Sequence, residues 1–262
     1  MKASFLTKLS NFYKENKRDF EWRNTHNPYK ILVSEIMLQQ KQTKRVVEKY
    51  EAFIKEFPTI QDLAKAPQAR VLELWQGLGY NRRALYLKRA AELLTQKEEF
   101  PKTITELTKL PGIGKNTAGA VLAFAFNIPT IFIETNIRRV YIHEFFKDKV
   151  QVKDTEILTL IEKTIDEKNP REFYYALMDY GSYLGKNDSN ANRKSRHYKI
   201  QSKFNGSIRQ TRGEILKPLI SGENDEKHLE KIINSLHFAT ARDKLIKEGF
   251  IVRNGKKLQI KS

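Results

Sequence analysis

With 262 residues, 40% of them hydrophobic and 30% charged, the sequence is that of a soluble globular protein with room for two domains. Its 48 Lys and Arg outnumber 31 Asp and Glu for a net charge of +17, which points to a polyanionic partner, nucleic acid being the commonest. The lack of cysteine excludes disulfides, thiolate nucleophiles and Cys-ligated zinc or iron–sulfur centres. No apolar run approaches the roughly 18 residues of a membrane span, and the charged, amphipathic start is unlike a signal peptide, so the expectation is a cytoplasmic, nucleoid-associated protein without membrane contact.

Residues 1–20 carry Phe5, Leu6, Leu9, Phe12 and Tyr13 at helical spacing, which predicts a first amphipathic helix. A polar loop follows that holds Trp22, Arg23 and Pro28, and residues 29–40 read as a second helix. Glu35 lies there among Ile31, Leu32, Val33, Ile36, Met37 and Leu38. An acid on so apolar a helix is desolvated, its pKa rises, and it suits a general acid. The plain alternative is a structural Glu paired with an Arg. Gln39, Gln40 and Gln42 at the helix end are either solvated or suited by their amides to base edges.

Helices are predicted over 43–57, with Val46, Val47, Tyr50, Phe53 and Ile54 inward, then over 63–74 and 83–94. Between the last two, Gly77-Leu78-Gly79-Tyr80-Asn81-Arg82-Arg83 joins a flexible turn, a ring and two cations, the make-up of a residue wedged between bases, or of a turn-packing aromatic. Residues 104–110 read as a short helix, and Leu110-Pro111-Gly112-Ile113-Gly114-Lys115 as a hairpin leading into an apolar, small-residue helix over 117–126. The outward amino end of that helix, with Gly112, Gly114, Lys115, Asn116 and Thr117, favours a phosphate. Glu134, after the apolar Ile131-Phe132-Ile133, is either a cap or a working group.

Residues 150–166 and 173–184 complete the helical globule. From Lys186 to Arg212 the chain has eight Lys or Arg against one acid, and Arg193, Lys194 and Arg196 mark it as a loop for DNA phosphates or a solvated linker. Helices over 209–220, 226–235 and 240–249, then a hairpin over 250–260 with an Asn254-Gly255 turn, suggest a winged helix whose segment 239–249 faces DNA. The domains expected are 1–185, a basic linker 186–206, and 207–262.

Several of these motifs, in this order, resemble the helix-hairpin-helix DNA glycosylases: the hairpin 110–115, the element Glu134-Thr135-Asn136-Ile137-Arg138-Arg139, and the run Ala176 to Ser182. Trp22-Arg23, Asn27-Pro28-Tyr29, Ser34 to Gln40 and Gly77 to Tyr80 look like the adenine-specific branch. The resemblance covers about residues 18–184 and implies an all-α, two-lobed helix-hairpin-helix glycosylase fold with a small winged-helix-like C-terminal module. It implies that Glu35, Glu134 and Asn136 are catalytic, that Trp22, Arg23 and Leu38 line a base pocket, and that Tyr80 and the glutamines meet duplex DNA at the lesion. Asn116 stands where glycosylases that also cut the backbone have a Lys, which implies a monofunctional enzyme.

Three departures accompany the resemblance. Glu134 replaces the usual Asp, so either the pocket has adjusted to one more methylene or the substrate differs. The four Cys of an iron–sulfur cluster are missing, and no metal or other cofactor is expected. The adenine-specific branch normally carries a further domain for the opposite base, and residues 207–262 are too short for it, so that mode of recognition is not expected from them. The expected activity is removal of adenine opposite 8-oxoguanine or guanine by a monomer. Excision of thymine or uracil mispaired with guanine, and a non-catalytic damage-binding protein, stay open as alternatives.

Overall fold

The computed structural model describes residues 2–39, 43–187 and 190–261. In chain order the helices are α1 Lys2–Asn16, α2 Pro28–Leu38, α3 Thr43–Glu56, α4 Ile60–Lys65, α5 Gln68–Trp75, α6 Arg82–Leu94 and α7 Ile104–Leu107. They continue with α8 Lys115–Phe126, α9 Thr135–Phe145, α10 Asp154–Thr164, α11 Pro170–Asn187, α12 Ile208–Ile220, α13 Glu226–Ile233 and α14 Phe238–Lys247. Among the described residues three short strands, β1 Asn224–Asp225, β2 Ile251–Asn254 and β3 Lys257–Ile260, accompany the helices of this mostly helical architecture. The chain divides into two compact units, one of Met1–Glu35, Pro101–Lys109 and Ile113–Ile200, the other of Ile36–Phe100, Leu110–Gly112 and Gln201–Ser262. Gln40 and Gln42 lie outside the described residues.

In the first unit α1 buries Phe5, Leu9 and Tyr13, one face at four-residue spacing. The small residues of α8 make it a buried helix: Ala118 to Ala125 are all enclosed, while Gly114, Lys115 and Asn116 at its amino end are exposed. Aromatic rings tie α8 and the segment after it to α11. Phe124 stacks on Tyr175 of α11 at 4.3 Å, and Phe132 meets Tyr174 at 4.0 Å. Helix α11 passes close to α9 because it carries glycine where they meet. A Cβ on Gly181 would stand 2.3 Å from the carbonyl oxygen of Asn136, so no larger residue fits without parting the helices.

In the second unit α3 presents Val46, Tyr50, Phe53 and Ile54 inward, with Val47 half-buried. The helix predicted over 63–74 is two, α4 and α5, because Pro67 has no amide to donate and forces Ala66 into an extended conformation (φ −62°, ψ 142°). The C-terminal module belongs to this unit. Its sheet has strand order β1-β3-β2, wholly antiparallel, and with α12 to α14 makes a winged-helix-like arrangement over a core that includes Leu216, Leu229, Phe238, Leu245, Phe250 and Leu258. Strand β1 has no signature in the sequence, being two polar residues. Asn254 pairs with Lys257, so the hairpin turn is Gly255-Lys256 rather than Asn254-Gly255. Gly255 has φ +61°, which suits a two-residue turn with glycine first.

Candidate active site

Glu35 and Glu134 both lie in the first unit, and the charge of Glu134 bears on Glu35. Glu35 occupies the third turn of α2, among Ile31, Leu32 and Val33, each almost wholly enclosed, and is itself half-buried. Burial in that apolar setting pushes its carboxyl up to about 8; the like charge of Glu134 adds to the rise and Arg23 opposes it.

Glu134 is the N-cap of α9. Its Oε1 accepts the amides of Asn136 at 2.8 Å and Ile137 at 2.9 Å, taking two of the four amides that a helix start leaves unpaired. Helix caps are usually Ser, Thr, Asp or Asn, and the longer glutamate makes the same bonds here. Burial raises its pKa, against the pull of those two amides and the charges of Arg138 and Arg139. The two acids thus share an environment that tolerates one negative charge more readily than two. The two amide bonds favour the charged form of Glu134, and the apolar setting of Glu35 disfavours its own.

The surroundings of Glu134 are held from three sides. Asn136 donates through Nδ2 to Glu134 Oε2 at 3.5 Å and accepts at Oδ1 from Arg139 Nη1 at 2.9 Å. Arg139 also donates to the Gly181 carbonyl at 2.7 Å, and Asn116 Oδ1 accepts the amide of Ile133 at 3.4 Å. From the far side buried Asn192 donates to the carbonyl of Thr135 at 3.1 Å. Asn192 belongs to a short 3-10 turn, Ala191–Lys194, fixed to Val152 by bonds between Val152 N and Lys194 O and between Arg196 N and Val152 O. An iron–sulfur cluster does not fit this segment: the chain offers no thiolate, and a packed asparagine turn fills the described part of it. Arg193 of this turn and Arg196 just after it are exposed, while the ammonium of Lys194 bonds the Lys147 carbonyl.

Trp22 and Arg23 are buried. Trp22 stacks on Phe20 at 4.8 Å, and Arg23 makes a two-pronged pair with Asp179 of α11, both contacts 2.8 Å, with its guanidinium 4.5 Å from the Tyr175 ring centre. Burial works against the Asp179 charge, yet the bonds from Arg23 and Arg18 hold it below the usual carboxylate range. Arg23 therefore has a structural partner as well as an influence on Glu35. A Cβ placed on Gly114 would meet no protein atom within 4 Å, so the exposed amino end of α8 is open to a ligand. Thr117 is half-buried behind it.

Leu38, Gln39, Tyr80, Arg82 and Gly112 belong to the second unit. Leu38 and Gln39 are half-buried. Gly112 has φ +74°, and a Cβ there would stand 2.8 Å from Tyr86, so glycine is required. Tyr80 is 38% exposed, and Arg82 pairs with Glu248. Sequence reasoning did not find the Arg23–Asp179 pair, nor the part of Arg139 in holding Asn136.

Residues 33–165, half of the chain, match the HhH-GPD superfamily base excision DNA repair protein family. The chain belongs to the HhH-GPD superfamily. Among relatives of this HhH-GPD protein, the adenine DNA glycosylase of Buchnera aphidicola subsp. Baizongia pistaciae (strain Bp) is 39% identical over 186 residues, 69% of this chain and 52% of that protein. The adenine DNA glycosylase of Homo sapiens is 32% identical over 194 residues, 69% of this chain and 36% of that protein. The chain thus spans about half the length, 52%, of the first of these relatives. Among solved structures, a thermostable thymine-DNA glycosylase superposes with a TM-score of 0.63 at 24% identity, over 74% of this chain and 91% of that one. An endonuclease III in a non-covalent DNA complex gives 0.58 at 22% identity, over 70% and 86%. At these identities the two structures establish the fold.

Proposed function

We propose that this HhH-GPD protein is a monofunctional DNA N-glycosylase that removes adenine mispaired with 8-oxoguanine or guanine. The observation that carries the reading is the pair of acids: Glu35, whose carboxyl is pushed up to about 8 by burial, and Glu134, whose carboxyl accepts two helix amides at the amino end of α9. The name shared by the relatives supports adenine as the base.

In the proposed reaction Glu35 donates its proton to a ring nitrogen of the adenine, and the glycosidic electron pair leaves with the base. Positive charge then develops on the sugar, and the Glu134 carboxylate stabilises it. Water adds to the sugar carbon and gives its proton to the Glu35 carboxylate, which returns the acid to its starting state. The products are free adenine and an abasic sugar. Asn116, at the start of α8, has no amine for Schiff-base attack, so the backbone stays intact until treated. Duplex DNA is the partner, with phosphate taken at the exposed amino end of α8 and along the basic stretch that includes Arg193 and Arg196, and with Tyr80 entering the base stack.

End-labelled duplexes carrying A opposite 8-oxoguanine, A:G, T:G, U:G and hypoxanthine:T, treated with protein and then hot alkali, test the reading. Strand breaks with wild type, only after alkali and strongest in the adenine lanes, with none from Glu35→Gln or Glu134→Gln, are the expected result. Breaks without alkali would refute the monofunctional assignment, and intact duplexes that are still bound would refute catalysis.

A further inference from the structure

Tyr80 has a left-handed backbone, φ +49°, which residues with a side chain rarely adopt, between Gly79 at φ +61° and the start of α6. Something must hold it. Its phenol oxygen is bonded by Gln201 and, at 3.1 Å, by Nη1 of Arg209. Arg209 is anchored in turn, Nη2 donating to the Ser202 carbonyl at 2.7 Å and to its hydroxyl at 3.2 Å. A planar guanidinium can serve the phenol and the Ser202 backbone at once, which a lysine ammonium does less readily.

Arg209 opens α12 at the start of the winged-helix-like module, Gln201 lies in the segment leading into it, and that module is fastened beside them. One helical turn beyond Arg209, Arg212 pairs with Glu248 at 2.6 Å, and Arg82, two residues after Tyr80, grips the same carboxylate. Gln68 of α5 donates to the carbonyls of Gly249 and Phe250 at 3.2 and 3.1 Å. Several of the module's cations are engaged by its own acids: Arg242 and Arg253 both pair with Glu226, and Lys257 pairs with Glu223 at the surface.

We propose that the C-terminal module is a brace for Tyr80, with Arg209 and Gln201 as positioning residues and the Arg82–Glu248–Arg212 clamp holding the brace in place. An exposed tyrosine samples several rotamers, and a ring fixed beforehand in its protruding one is competent for insertion without a further ordering cost. Only the use made of the ring rests on the glycosylase reading; the tether is a property of the free protein.

The test compares full-length wild type with Arg209→Ala, Tyr80→Phe, the double variant and Glu248→Gln. Tyr80→Phe removes one oxygen and keeps the ring, so it folds even where Arg209→Ala does not. In the DNA-free protein, amide hydrogen exchange over residues 77–81 is expected to quicken about three- to tenfold in each single variant, with no further gain in the Arg209→Ala, Tyr80→Phe double. On duplexes with 2-aminopurine beside the A:8-oxoguanine pair, the same two variants lower the fluorescence rise and the single-turnover excision rate by a common factor. Binding to undamaged duplex stays within about twofold. Unchanged exchange, or additive effects in the double variant, would overturn the brace. So would weaker binding of undamaged duplex by Arg209→Ala alone with the salt slope reduced by about one, the mark of a phosphate contact. If wild type cuts no duplex, the glycosylase reading fails and the exchange comparison still decides the brace.

Discussion

The amino end of α9 and the turn at residues 77–81 solve the same problem, holding one side chain still, by opposite means. Glu134 is fixed through backbone: two helix amides, the close pass of α11 that only Gly181 permits, and buried Asn192 behind Thr135. Tyr80 is fixed at its tip, by a glutamine and an arginine on a partly exposed ring. The first arrangement defines the position of a carboxylate closely and restricts the sequence of two helices in return. The second orders a ring at the surface, where a duplex can reach it. Reaction needs the former, and insertion into a base stack needs the latter.

The largest effect is expected at the buried acids. Glu35→Gln keeps shape and removes the dissociable proton, and general acid catalysis of this kind contributes about 100- to 10,000-fold, so single-turnover excision should fall by that much with circular dichroism unchanged. Gly181→Ala comes next. Its Cβ would stand 2.3 Å from the Asn136 carbonyl oxygen, so thermal unfolding should show a loss of about 1–3 kcal/mol. Excision should fall with it, on the order of 100-fold for a shift of about 1 Å in Glu134. Gly114→Ala sharpens the contrast, because open space surrounds that position: the melting temperature should hold while duplex affinity drops.

A smaller effect separates the two acids. The charge of Glu134 helps raise Glu35, so in Glu134→Gln the Glu35 carboxyl should titrate below the value of about 8 that it has beside a charged Glu134. Carbon-13 NMR of the labelled carboxyl reads this directly. Stability carries the same signature. The folded value lies above the ordinary 4.5, so the stability Glu35 contributes is whole below pH 4.5 and is lost as pH climbs through about 8. Glu35→Gln should flatten that decline in chemical unfolding. Smallest of all, Glu248→Gln at the partly exposed clamp should cost about 1 kcal/mol or less, read as a slight fall in the urea midpoint.

What the sequence made legible was local. Glu35 among six apolar neighbours, the glycine hairpin before a small-residue helix, and an acid at a helix start are all read within a few turns of chain, and the helices follow from their spacing. Spacing alone misleads at Pro67, where apolar periodicity reads as one helix over 63–74 and the missing proline amide divides it in two. Contacts made over long separations were not legible. Arg23 meets Asp179 across 156 residues, and Arg209 meets Tyr80 across 129. Gly181 reads as one more glycine until the Asn136 backbone is set against it, and β1 exists only because β3 offers it a partner. Glu134 in place of a shorter acid looks like a defect in the sequence alone; the cap geometry absorbs the added methylene.

The central claim is that a protonated Glu35 delivers the proton that releases the base. Its most direct test is the pH dependence of single-turnover adenine excision from an A:8-oxoguanine duplex, wild type against Glu35→Gln. The wild-type rate is expected to be level toward neutral pH and to fall about tenfold per unit above a midpoint near 8, with the variant slow and without that midpoint. A wild-type rate that climbs through pH 8, or a variant that keeps the wild-type profile, would contradict it.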